Sequence, residues 1–100
     1  MTMPRDKPQL ISVTVGGHKI AVRAHDIFVY LAEIHAERKT DVIRSDVFGE
    51  HADALSYVND EGEAGGYAEV IAYDITNPKE PVRQRAVYRT EYPDNYLRTV

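Results

Sequence analysis

Residues 25–39 read HDIFVYLAEIHAERK, and the fold turns on what this stretch becomes. Ile27, Tyr30, Leu31 and Ile34 recur at i, i+3, i+4 and i+7, the spacing that lines one side of an α-helix. Asp26 stands where an N-cap belongs, Glu33 and Glu37 mark a polar edge, and Arg38 and Lys39 suit the negative end of a helix dipole. The spacing therefore predicts a helix. Phe28, Val29, Ala32 and Ala36 make a second apolar stripe on it. A helix apolar over most of its circumference is covered on two sides. The second cover is another element of the chain or a second copy, so these four residues are the expected face of a homodimer.

Upstream, residues 9–24 (QLISVTVGGHKIAVRA) are two alternating segments joined by Gly16-Gly17. Two glycines between period-2 apolar runs predict a tight hairpin, because primed turns need positive φ at the loop positions. Pairing Val15 with His18 puts Ile11, Val13, Val15, Ile20, Val22 and Ala24 on one face. Downstream, Val47, Ala52, Leu55 and Val58 predict a second, short helix from Asp46 or Glu50 to about Asn59. Residues 59–66 (NDEGEAGG) read as a solvated loop. Residues 66–92 carry two strand patterns around TNPKEP, residues 76–81, whose prolines are turn chemistry. A register pairing Ile75 with Val82 gathers Tyr67, Ile71, Tyr73, Ile75, Val82, Ala86, Tyr88 and Tyr92 on one face of a long hairpin, with Asp74 across from Arg83.

The expected order is β-β-α-α-β-β in one domain spanning residues 1–100, with residues 1–8 and 93–100 as flexible ends. The expected fold class is α+β: an antiparallel sheet of about four strands, built from two hairpins, with one or two helices on one face. A chain with 43% hydrophobic and 28% charged residues can bury one modest core. It has no cysteine, which excludes disulfides, thiolate zinc sites, iron–sulfur clusters and a cysteine nucleophile. The polar start, MTMPRDKPQL, has no apolar core of a signal peptide, and no apolar run is long enough to span a membrane. A cytoplasmic location without membrane contact is expected.

Charge is laid out unevenly. Residues 45–78 hold eight Asp/Glu and no Lys or Arg, whereas the segments on either side are net positive. A charge run is most often a solvated face. The functional alternative is an acidic patch that steers a basic partner into register. Glu50, Asp53, Asp60, Glu61 and Glu63 would supply that field, with Tyr57 and Tyr67 on its borders as anchors. The expected function is accordingly a non-enzymatic interaction or inhibitor protein for a basic, nucleic-acid-handling protein partner. Phage anti-defence inhibitors, anti-CRISPR proteins among them, and bacterial immunity proteins are analogous in size, charge and lack of catalytic parts. No motif links this chain to them.

Rival chemistries leave weaker traces. His18, His25, His35 and His51 contain no i, i+4 pair, so a metal site would need groups converging from separate elements. Glu50, His51 and Asp53 would be the acid–base set of a small metal-assisted enzyme, the remotest of the readings. Ser12, Ser45 and Ser56 lack a nucleophile-elbow motif. GEAGGY, residues 62–67, lacks the phosphate-loop spacing and lysine, and its acidic neighbours would repel phosphate. No cofactor is expected. A nucleic-acid-binding face would use Arg83, Arg85 and Arg89 beside Tyr88, Tyr92 and Tyr96. In the expected register Tyr88 and Tyr92 fall on the apolar face and read as core, and the net charge of −4 opposes phosphate binding.

Overall fold

The computed structural model describes residues 9–36 and 41–97. The N-terminal residues 1–8, the expected helix residues Glu37, Arg38 and Lys39, and residues 98–100 lie outside the described residues. Six strands and one helix follow in the order β1 (Leu10–Val15), β2 (His18–Arg23), β3 (Phe28–His35), β4 (Val42–Phe48), α1 (His51–Glu61), β5 (Tyr67–Asp74) and β6 (Val82–Glu91). β1 and β2 form a two-stranded sheet, and the other strands form a four-stranded sheet in the order β4-β3-β5-β6. All pairings are antiparallel. The α+β class with antiparallel sheets is as expected; the element order is not.

The first hairpin forms in the expected register, Val15 opposite His18, around Gly16 (φ 59) and Gly17 (φ 83). Both glycines take the left-handed conformation that the turn demands. The segment expected to be a helix is the strand β3 instead. Asp26 caps no helix; it closes a turn in which its backbone N–H donates to the Arg23 carbonyl at 3.0 Å. β3 lies inside the four-stranded sheet with both faces covered. Val29 and Leu31 pack with Val13, Val15, Val22, Val47 and Ile75 under the β1–β2 hairpin. Ala32 and Ile34 pack with Ala54, Val58, Ala68, Val70 and Tyr92 under α1. A strand buried on two faces has no polar alternation, so its apolar residues match a helical stripe by coincidence of spacing.

This burial also removes the argument for a homodimer. Val29 and Ala32 are fully buried by other parts of the same chain, and Ala36 is half-buried. Only Phe28 of the expected dimer face is exposed, at 41%. The two apolar sides of the stretch are real, but a hairpin and a helix of this chain cover them.

α1 starts with favourable charge: Asp53 sits in its first turn, although the N-cap Glu50 makes no side-chain cap bond. Ala54 and Val58, four residues apart, are its buried line. Its C-terminal end is held by the segment after β6. The Tyr92 hydroxyl donates to the Val58 carbonyl, and the Tyr96 hydroxyl donates to the Asn59 carbonyl at 2.7 Å. Two of the four last-turn carbonyls, which no further helical turn would satisfy, are therefore capped by tyrosines. Residues 93–97 are anchored, contrary to the expected free end: the Pro93 carbonyl accepts from Gly65 and from Tyr96, both at 3.0 Å.

The second hairpin forms, but one residue out of the expected register, with Asp74 opposite Val82 and Tyr73 opposite Arg83. A one-residue slip exchanges faces. Tyr88 and Tyr92 consequently join the layer under α1, away from Ile71 and Tyr73, and Asp74 no longer opposes Arg83. Two irregularities in β6 complete the change. Between the pairs Val70–Tyr88 and Ile71–Ala86, Val87 is unmatched. Between Ile71–Ala86 and Tyr73–Arg83, Gln84 and Arg85 stand opposite Ala72 alone. These are β-bulges, and no alternation pattern reveals them.

Two outcomes test this core. Gly62, just past α1, abuts Tyr92 so closely that an added methyl would overlap the ring. Gly62→Ala is expected to cost about 2 kcal/mol or more and to lower Tm by roughly 10 °C in a thermal melt. Burial, with smaller effects of Tyr96 and Tyr88, pushes the Tyr92 phenol up to about 12 from the ordinary 10.0. The unfolded phenol ionises first, so this stabilisation is intact below the ordinary value and is lost as pH rises through the folded one. Tyr92→Phe is expected to flatten that alkaline fall in denaturant-measured stability. It is also expected to cost about 1–2 kcal/mol at neutral pH, by orphaning the Val58 carbonyl.

Candidate functional site

The acidic run is divided by the fold. Glu69 lies on the sheet face opposite α1, where Arg89 Nη1 meets its Oε1 at 3.4 Å. Asp74 ends β5, and its Oδ1 accepts from the Thr76 N–H at 2.8 Å; bonds from Thr76 hold its pKa below the ordinary value. The other six acids lie on α1 or its flanks. Glu50, Asp53 and Asp60 are exposed and make no ion pair among the described residues. Glu61 and Glu63 are bridged by Arg44 of β4, whose Nε lies 3.3 Å from Glu61 Oε1 while Nη2 contacts Glu63 Oε2. Asp46 is exposed on β4 and folds back onto the Val47 N–H at 2.8 Å. Among the described residues, Arg44 is the guanidinium that enters the acidic territory.

Tyr57 sits in that territory. It is half-buried, with its ring tilted against Phe48 at a centroid distance of 5.3 Å. Burial raises its pKa first; Glu61 and Asp46 raise it further, and Arg44 opposes them. Tyr67, expected as the second anchor, is on the other face of the sheet and only 7% exposed. Its ring is sandwiched, with His35 stacked at 4.2 Å and 7° on one side and Arg89 Cζ 4.1 Å from its centroid. It anchors the sheet and offers no surface to a partner. Glu33 and Glu69 are directly opposite across β3 and β5, a repulsive pairing that Arg89 on Glu69 offsets, and His35 Nε2 lies 3.6 Å from Glu33 Oε1.

On β6, Arg83 and Arg85 are exposed without a carboxylate partner among the described residues, whereas Arg89 is committed to Glu69 and Tyr67. Tyr88, Tyr92 and Tyr96 pack into the α1 layer, so the expected Arg–Tyr face does not form as a unit. The histidines scatter. His51 lies at the start of α1 with its ring 5.3 Å from that of Tyr30. His35 is 4% exposed, and neither ring nitrogen has a hydrogen-bond partner among the described residues. His18 Nε2 hydrogen-bonds Ser45 Oγ at 2.8 Å, and its Nδ1 lies 3.9 Å from Asp46 Oδ1. That is the order of a serine triad without its working parts. The His–Asp distance exceeds a hydrogen bond, and the Asp46 oxygen is held by Val47. Among the described residues no group of three or more His, Asp or Glu is placed to hold a metal ion.

Compared with protein-family models, curated proteins and solved structures, the chain shows no match. Among the described residues no helix is long and apolar enough to cross a membrane. Arg44 is the residue that sequence reasoning missed, since it lies one position before the acidic run in the chain. Arg44→Met is expected to raise the Tyr57 pKa further, and Glu61→Gln to lower it, both read from alkaline phenol titration followed by NMR. The stability cost of Arg44→Met should stay near 0.5 kcal/mol, because the pair is partly exposed.

Proposed function

We propose that this protein is a non-enzymatic binding protein whose acidic α1–β4 face docks on a basic surface of a protein partner. What carries the reading is the arrangement around Tyr57: Asp46, Asp53, Asp60, Glu61 and Glu63, with Arg44 as the one Lys or Arg seen to pair with them among the described residues, beside a half-buried aromatic pair. An acidic rim accelerates encounter and orients the partner, and Tyr57 with Phe48 supplies the apolar contact that charge alone does not. A protein that handles nucleic acid has the complementary basic groove, so an inhibitor of such a protein is the role this face suits best. A nucleic-acid-binding role for β6 is supported by Arg83 and Arg85, which pair with no carboxylate among the described residues. It is weakened by the commitment of Arg89 and by tyrosines that lie under the helix.

The test compares the wild-type chain with a Glu50→Gln, Asp53→Asn, Asp60→Asn variant. Partners are captured from the native host, purified and titrated. The triple substitution should leave the circular dichroism spectrum unchanged and slow association by about tenfold or more at low salt, a difference lost at high ionic strength. Equal association rates for the two proteins would end the proposal.

A further inference from the structure

On the face of the sheet that carries α1, beyond the helix, a cleft of about 330 Å³ is lined by Phe28, Tyr30, Ala72, Gln84, Arg85 and Val87. Its outer wall is made of bulge residues. Gln84 and Arg85 share Ala72 as their partner, and Val87 is unmatched, so β6 departs from regular pairing where it borders this cleft. Bulges re-aim side chains, and they also spoil a strand edge for pairing with another chain. The exposed edge of β6 is thus a poor template for an added strand, while its irregularity brings a guanidinium and an amide beside two aromatic rings.

The chemistry of the wall is specific. Phe28 and Tyr30 offer aromatic surface, and His51 lies against Tyr30 at 5.3 Å. Phe28 is 41% exposed and Val87 38%, so the apolar surface is not buried by this chain. Arg85 makes no ion pair with any described residue. The nearest acid in the pairing scheme is Asp74, opposite Phe28, and its carboxylate is turned onto Thr76. We propose that this cleft binds a small planar aromatic anion, the ring lying on Phe28 and Tyr30 and the acidic group pairing with Arg85. A guanidinium next to an aromatic floor recognises the two parts together, and Gln84 adds a donor for the same anion.

The probes are 2-naphthoate, its neutral isostere 2-naphthalenemethanol, and adenosine monophosphate, each titrated into ¹⁵N-labelled protein. Saturable shifts at residues 28, 30, 72 and 84–87 are expected, with a Kd on the order of 1 mM for a ligand of this size in a shallow site. Arg85→Gln, at an exposed position, should weaken the anion by about tenfold and leave the isostere unchanged. Preference for naphthoate or for the nucleotide distinguishes a carboxylate source from a phosphate one, and either supports the site. No saturation by either anion, equal affinity for the isostere, or indifference to Arg85→Gln would overturn it. An oligothymidylate that binds at tens of micromolar while neither small anion saturates would also overturn it and assign β6 to single-stranded nucleic acid.

Discussion

Burial of β3 on both faces is the constraint from which the rest of the architecture follows. A central strand with Val29 and Leu31 on one side and Ala32 and Ile34 on the other must be covered twice. Removing so much apolar surface from water is the dominant favourable contribution in a chain this short. The first hairpin therefore leaves the main sheet and becomes a lid over one face, tied to β4 by the His18–Ser45 hydrogen bond. α1 covers the other face, and the segment after β6 returns to hold its C-terminal end through Tyr92 and Tyr96. The close approach of Tyr92 explains why the residue after the helix is Gly62.

The same layering sorts charge. The acids near α1 gather on the side of β4, and Arg83 and Arg85 stand on β6, at the opposite edge of the four-stranded sheet. Glu69, which falls on the other sheet face, is neutralised locally by Arg89. Among the described residues, the exposed acids of α1 and the arginines Arg83 and Arg85 of β6 are thus set apart, although the chain as a whole carries only −4. Complementary fields act at the level of a patch, so the separation matters more for recognition than the sum.

Backbone irregularity matters as much as charge. Regular alternation along β6 would send Gln84 and Arg85 to opposite faces. The bulges set both beside Ala72, next to the rings of Phe28 and Tyr30. The acidic face and this cleft occupy different parts of the helix-bearing side, so one small domain has room for a protein contact and a small-molecule contact.

Local chemistry was readable from the sequence alone. The Gly16-Gly17 turn set the first hairpin to the residue, the Ala- and Leu-containing stretch after Gly49 marked α1, and the prolines after Ile75 marked the second hairpin. The acidic run was equally plain, and so were Glu50, Asp53 and Asp60 as exposed acids. Tertiary structure alone decided the state of residues 28–35, because a doubly covered strand and an apolar helix present the same residues to a periodicity test. It alone placed Arg44 among the acids and buried Tyr67 between His35 and Arg89, since both follow from strand order. It alone slipped the second hairpin by one residue and bulged β6. Pairing register is a property of two strands packed against their neighbours, and no single stretch of chain contains it.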